Sequence, residues 1–138
     1  MLPEKISLEI VTPDRRVLTQ EVEAVVLPGE CGSFGVLPGH HPLLAALRPG
    51  RVKVRRGGKE DILSVGAGFV EVLPGRVNVL VTACERAGEI DLERARAARD
   101  RAGKRLRERG GGIDRERAER ALERARARIR AAEREASE

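Results

Sequence analysis

From Ile6 to Thr82 the chain reads as short apolar runs rich in β-branched residues. They are set apart by turn signals at Pro13-Asp14, Pro28-Gly29, Pro38-Gly39, Pro49-Gly50, Gly57-Gly58 and Pro74-Gly75. Within the runs, apolar and polar positions alternate. Val52 and Val54 stand against Arg51, Lys53 and Arg55; Val70 and Val72 against Glu71; and Val77, Val79 and Val81 against Asn78, Leu80 and Thr82. A period of two marks half-buried strands. A lone antiparallel sheet would leave one apolar face wet, so the pattern predicts an all-β domain over residues 1–84, built as a β-sandwich or flattened barrel.

After Gly88 the texture changes to Ala, Arg and Glu, with no Pro and with Ile90, Ile113 and Ile129 as the β-branched residues. These are helix formers. Gly110-Gly111-Gly112 divides the region, and each half opens on Ile-Asp, at Ile90-Asp91 and Ile113-Asp114. Asp is a strong N-cap, so helices are predicted from Leu92 to Arg109 and from Arg115 to Ala136, about 27 and 33 Å long. The three glycines imply a tight antiparallel α-helical hairpin over residues 85–138. Helical projection puts Leu92, Ala95, Ala98, Ala102 and Leu106 on one arc. Ala118, Ala121, Leu122, Ala125, Ile129, Ala132 and Ala136 fall on the other. A seam of alanines buries little area and contributes a few kcal/mol at ~25 cal/mol per Å², so the hairpin is expected to be marginally held.

Composition narrows the function. Residues 1–84 carry 10 Lys+Arg and 9 Asp+Glu, whereas residues 85–138 carry 17 and 13, so most of the net charge of +5 sits on the helical part. The chain has no Trp, no Tyr and two Phe, which removes the stacking rings that single-strand nucleic-acid binders use. No apolar run approaches the ~20 residues of a membrane span, and the first ten residues lack the pattern of a secretory signal. The expectation is an intracellular, soluble protein. Cys31 and Cys84 stand far apart without further partners and are read as reduced thiols. P-loop, H-E-x-x-H and C-x-x-C spacings are all absent, and Ser33, Ser64 and Cys84 sit in no motif that would activate a nucleophile. The tandem His40-His41 is either a surface or interface turn or part of a metal site, with no further ligands near it in sequence. No catalytic residues are assigned.

The arginines of the hairpin carry more information. Arg94, Arg101 and Arg105 form a row about 90° to one side of the first seam, and Arg117, Arg124 and Arg128 form a row on the same rotational side of the second. In an antiparallel pair such rows emerge on one open face, with Arg101 nearly level with Arg124 and Arg94 with Arg128. Four guanidiniums would then frame a groove suited to polyphosphate. Two other readings of these arginines stay open: a solvated charged face paired with Glu93, Glu116, Glu119 and Glu123, and a nucleic-acid surface, which the interleaved acids and missing aromatics disfavour.

The stretches Val11-Thr12-Pro13-Asp14, Gly32-Ser33-Phe34-Gly35-Val36-Leu37-Pro38-Gly39-His40-His41-Pro42-Leu43, Gly68-Phe69-Val70-Glu71-Val72 and Ile90-Asp91-Leu92-Glu93-Arg94-Ala95 together resemble the epsilon subunit of bacterial F-type rotary ATP synthases. The match is collinear over nearly the whole chain. It implies a non-catalytic subunit of the central rotor stalk, whose ten-stranded sandwich binds the gamma subunit and rests on the ring of c subunits. The loop bearing Ser33, Phe34, His40 and His41 is implied to contact the rotor. The hairpin is implied either to fold against the sandwich or to extend into the catalytic head, contacting the beta and alpha subunits and inhibiting ATP hydrolysis. The implied location is the cytoplasmic face of the bacterial cell membrane, reached through the complex alone.

Several members of this family bind ATP on the folded hairpin through an I-D-x-x-R-A motif, matched here by Ile90, Asp91, Arg94 and Ala95. Collinear position adds Glu85, Arg101, Arg124 and Arg128, with Arg99 an alternative to Arg101. The implied ligand is ATP as a regulator, not a cofactor; the motif contains no evident metal-ligand cluster, so binding is expected without a requirement for magnesium. The alternative is a structural and inhibitory adaptor whose basic hairpin contacts acidic protein surfaces and binds no nucleotide. Ser33-Phe34 departs from the acidic residue and Leu frequent in the family, which implies a weaker or more apolar rotor contact. Gly103 interrupts the first helix at a cost of roughly 1 kcal/mol relative to Ala. The preference for Arg over Lys fits either a thermophile's ion-pair networks or a GC-rich genome.

Overall fold

The computed structural model describes residues 4–108 and 114–137, with side chains through Glu133. The predicted glycine turn between the helices, the last predicted residue of the first helix, Arg109, and the side chain of Ala136 lie outside the described set.

Ten strands form the N-terminal part: β1 (Ile6–Val11), β2 (Arg16–Val22), β3 (Ala24–Gly29), β4 (Gly32–Val36), β5 (Leu43–Leu47), β6 (Gly50–Arg56), β7 (Lys59–Val65), β8 (Gly68–Leu73), β9 (Arg76–Val81) and β10 (Cys84–Arg86). They follow one another in space in the order β10-β7-β6-β3-β5-β8-β9-β1-β2, with β4 on the remaining edge of β3. All pairings are antiparallel except β1 with β9, which is parallel. The sheet turns its corner where β3 passes from β6 to β5, a junction of one residue pair, Gly29 with Leu47. Two layers result, and the predicted alternation fills the space between them. Leu8, Ile10, Val25, Val52, Val54, Val70, Val72, Val77 and Val79 are all at or near full burial in one continuous core.

Two glycines show why the turns sit where they do. Gly57 and Gly58 both have positive φ, 58° and 77°, and make the two-residue hairpin loop between β6 and β7, a conformation that matches the right-handed strand twist. The backbone N–H of Gly57 also donates to Glu23 Oε1 at 2.8 Å, tying the loop to the connection between β2 and β3.

Beyond β10 a single 3₁₀ turn, Ala87–Glu89, leads to α1 (Leu92–Arg107) and α2 (Arg115–Ser137). Both predicted caps are made: Asp91 Oδ1 accepts from the Arg94 backbone N–H at 3.1 Å, and Asp114 Oδ1 from that of Arg117 at 3.0 Å. Glu108, in extended conformation, ends α1. Arg115, at the start of α2, donates to the carbonyls of Leu106 (2.8 Å) and Glu108 (3.4 Å), satisfying acceptors that the end of α1 would leave unpaired.

The seam forms largely as projected. Ala95, Ala102, Ala118, Ala125 and Ile129 are buried, while Leu92, Ala98, Leu106, Ala121, Leu122 and Ala132 are half-buried. A second buried stripe exists that the single-seam projection did not include. Ala127 and Ala131 are fully buried, with Ala131 clustered against Ile62 and Ala87 and flanked by Ile90. The hairpin is therefore docked on the sandwich, with α2 lying on the outward face of β6 and β7. This explains why β7 is buried on both faces from Ile62 to Val65: Leu63 and Val65 enter the core while Ile62 and Ser64 are covered from outside. The Arg48–Glu123 ion pair (3.3 Å) also crosses between the two parts.

Candidate regulatory site

Positions around α2 advance by about 100° per residue, so each flank of the helix meets a different neighbour. Ala127 and Ala131 face the sheet, and Ala118, Ala125 and Ile129 face α1. Arg124 and Arg128 fall between these sectors and look into the wedge where helix, hairpin partner and sheet edge meet.

That wedge is a groove of about 260 Å³. β7 and the turn after it supply Ser64 and Gly66, and the edge strand supplies Glu85, which lies across the ladder from Ser64. Strand alternation sends Cys84 into the core and leaves Glu85 on the hairpin side. From the hairpin come Ala98, Ala121, Arg124 and Arg128. Arg128 Nη2 is ion-paired with Glu85 Oε1, both side chains about two-thirds buried. Its Nε is fully buried and has no hydrogen-bond partner. A buried guanidinium N–H without an acceptor costs on the order of 1–3 kcal/mol, or more for a charged group.

Of the residues implied for ATP, the structure brings Glu85, Arg124 and Arg128 together on this groove. Asp91 caps α1, Ile90 packs beside the Ile62–Ala131 cluster, and Ala95 is fully buried in the seam. Arg94 and Arg101 are exposed and are not among the groove's lining residues. Both stand on the same face of α1 as Ala98, which does line it, four residues before and three after. Arg99, the alternative, pairs with its neighbour Asp100 at 3.2 Å. Sequence reasoning did not find Ser64, Gly66 or Ala83, because their place depends on the pairing of β10 with β7, twenty residues away.

The residues implied for rotor contact do not form one cluster. Ser33 is exposed near the start of β4, whereas Phe34 is half-buried against the core beneath Gly29. His40 and His41 lie beyond the other end of β4, where His40 Nδ1 is 2.7 Å from the carbonyl oxygen of His41. Their turn is held to the β8–β9 turn by the Gly39 N–H, which donates to the Pro74 carbonyl. A separate exposed apolar strip, Leu44, Phe69 and Leu80, crosses the outward face of β5, β8 and β9. Among the described residues no helix is long and apolar enough to cross a membrane.

A ten-stranded β-sandwich with a helical hairpin docked across β6 and β7, and a groove at their junction lined by Arg124, Arg128 and Glu85, defines a two-part β-sandwich and helical-hairpin protein. Comparison with known proteins names the kind. Residues 5–87 match the model of the ATP synthase delta/epsilon chain β-sandwich domain, and residues 89–133 that of its long α-helix domain. The ATP synthase epsilon chain of Syntrophobacter fumaroxidans is 50% identical over 107 residues, covering 78% of this chain and 80% of its own. That of Anoxybacillus flavithermus is 45% identical over 101 residues, 73% and 75% of the two chains. In the mitochondrial ATP synthase of Euglena gracilis, one chain superimposes with a TM-score of 0.83 at 27% identity, over 100% of this chain and 84% of that one. The chain belongs to the ATP synthase delta/epsilon family, as a non-catalytic, epsilon-type subunit of the central stalk.

Proposed function

We propose that the chain couples the gamma subunit to the c ring and regulates ATP hydrolysis through its hairpin, with ATP as a ligand of the docked state. In this reading the sandwich binds gamma, and the start of β4, with Ser33 and Phe34, and the turn with His40 and His41 meet the ring. The released hairpin reaches the catalytic alpha and beta subunits. Membrane association at the cytoplasmic face follows from the complex and not from the chain itself.

The observation that carries the nucleotide reading is the unpartnered, buried Nε of Arg128, set in a groove with Arg124 and Glu85. A phosphate oxygen would satisfy it, and Arg124 adds a second fork. Arg94 and Arg101, on the α1 face that carries Ala98, close over the phosphates from the other helix. The groove's carboxylate, Glu85, is engaged by Arg128, which supports binding without magnesium. Because the groove is assembled from both parts, ATP bound there stabilises the docked hairpin by mass action.

Calorimetric titration of the full chain with ATP, with and without magnesium, tests this beside Arg94→Ala/Arg124→Ala. The expected result is binding by the wild type in both buffers and at least about tenfold weaker binding by the variant, from the loss of two charge-assisted contacts. Absence of binding at millimolar ATP would leave the arginines as a surface for acidic proteins. Binding that appears only with magnesium would overturn the metal-free reading.

A further inference from the structure

The flank of α2 opposite the groove holds a second basic site. β6 alternation turns Val52 and Val54 inward and leaves Arg51 and Lys53 half-buried on the outward face, beside the docked helix. Arg126 and Arg130, one turn apart on α2, face them across a cleft of about 470 Å³, and Arg48 and Glu123 complete its charged lining. Among the described residues the lining thus joins five cationic side chains, of which Arg51 already engages a partner, with one carboxylate, and that carboxylate is paired with Arg48. It shares no lining residue with the Glu85–Arg128 groove.

Docking a helix so that its arginines approach the cationic stripe of a strand raises the electrostatic energy of the docked state, since like charges repel across a concave, partly desolvated space. A multivalent oxyanion in the cleft reverses that sign. It would accept from Lys53 on the sandwich and from Arg126 and Arg130 on the hairpin, and the Ser33 hydroxyl stands on the same lining. Guanidinium forks arrayed on two walls suit tetrahedral phosphoryl groups, and the volume suits a di- or triphosphate more than an extended chain.

We propose that this cleft is an anion site of the docked subunit, taking a small polyphosphate and latching the hairpin to the sandwich independently of the Arg124–Arg128 groove. Three of its five cations belong to the sandwich and two to the hairpin, so the site exists only while the hairpin is docked. Its ligand therefore shifts the population toward that state.

The probe is inorganic tripolyphosphate, titrated calorimetrically into the full chain and into three variants: Arg126→Ser/Arg130→Ser on the helix, Lys53→Ser on the strand, and Arg124→Ser/Arg128→Ser in the other groove. The proposal expects a binding component that survives in the last variant. It should weaken at least about tenfold in the helix variant and measurably in the strand variant, each having lost charge-assisted bonds. Arg126 and Arg130 are exposed, so their truncation leaves the fold intact, which far-ultraviolet circular dichroism verifies. Arg126→Lys/Arg130→Lys, which keeps the charge, should restore part of the affinity. If tripolyphosphate binding disappears in Arg124→Ser/Arg128→Ser and persists in Arg126→Ser/Arg130→Ser, the anion belongs to the ATP groove and the cleft is not a site. Absence of tripolyphosphate binding by the wild type also overturns the proposal, whatever the outcome with ATP.

Discussion

Single residues fix the sandwich in ways that substitution can read. A Cβ added at Gly68 would stand 1.9 Å from the Leu80 carbonyl oxygen and 2.7 Å from the Val81 Cα, both backbone atoms of the paired strand β9. Backbone in a paired strand cannot step aside as a flexible side chain can, so Gly68→Ala should destabilise the chain by about 2 kcal/mol or more, read from the urea midpoint. Cys84 offers a second residue-level test. Burial pushes its thiol up from the ordinary 9.0 to about 11, against the opposing pull of Arg15 and Arg86. In the unfolded chain the thiol ionises near 9 while the native one keeps its proton to about 11, so ionisation favours the unfolded state across that window. The thiol's contribution to stability is constant below pH 9 and is lost as pH rises toward 11. Subtracting the pH profile of Cys84→Ala from that of the wild type should expose this slope. A flat difference would contradict it. Cys31, being exposed, should react with a thiol reagent in the native protein while Cys84 does not.

At the scale of elements, α1 is the weaker helix. It is 16 residues long, carries Gly103 in its interior and buries two alanines fully. A Cβ at Gly103 would meet Arg107 Nη1 at 3.5 Å, an ordinary contact, so Gly103→Ala is accommodated. It should raise helix stability by about 0.5–1 kcal/mol, visible as a higher thermal midpoint of the helical signal. Both helix starts were legible from Asp91 and Asp114, because capping is local chemistry that a single residue announces. The seam was legible for the same reason as the strands: one periodicity, one covered face. The Ala127–Ala131 stripe was not. In a run of alternating Ala and Arg, alanines occur on every side of the helix, and which side is covered depends on what the sandwich presents. Ile62 and Ala87 decide that, and they are remote in sequence.

For the molecule as a whole, the same division explains which parts of the groove could be foreseen. Arg124 and Arg128 follow from helix geometry and the resemblance, whereas Ser64, Gly66 and Ala83 follow from an edge pairing between β7 and β10 that no local pattern encodes. The charge asymmetry between residues 1–84 and 85–138 foretold a basic hairpin, yet it did not reveal that the docked helix would set its arginines beside Arg51 and Lys53. Ion pairs such as Arg48–Glu123 and Arg96–Glu133, at 3.3 and 3.2 Å, are solvent-exposed and screened by salt. The first adds little to docking beside the buried Ile62–Ala87–Ala131 contact, and the second joins the two helices to each other.

The short connection from β10 through the turn at Ala87–Glu89 to α1 has a kinetic consequence. Because the hairpin is tethered within a few residues of the surface it covers, the sandwich sees it at a local concentration on the millimolar scale, whatever the concentration of the subunit. Dilution therefore does not undock it, and its release is a first-order event. In the proposed regulation, a competing surface elsewhere in the assembly would win the hairpin by outlasting the moments when it is free, and a ligand in the junction would act by making those moments rarer.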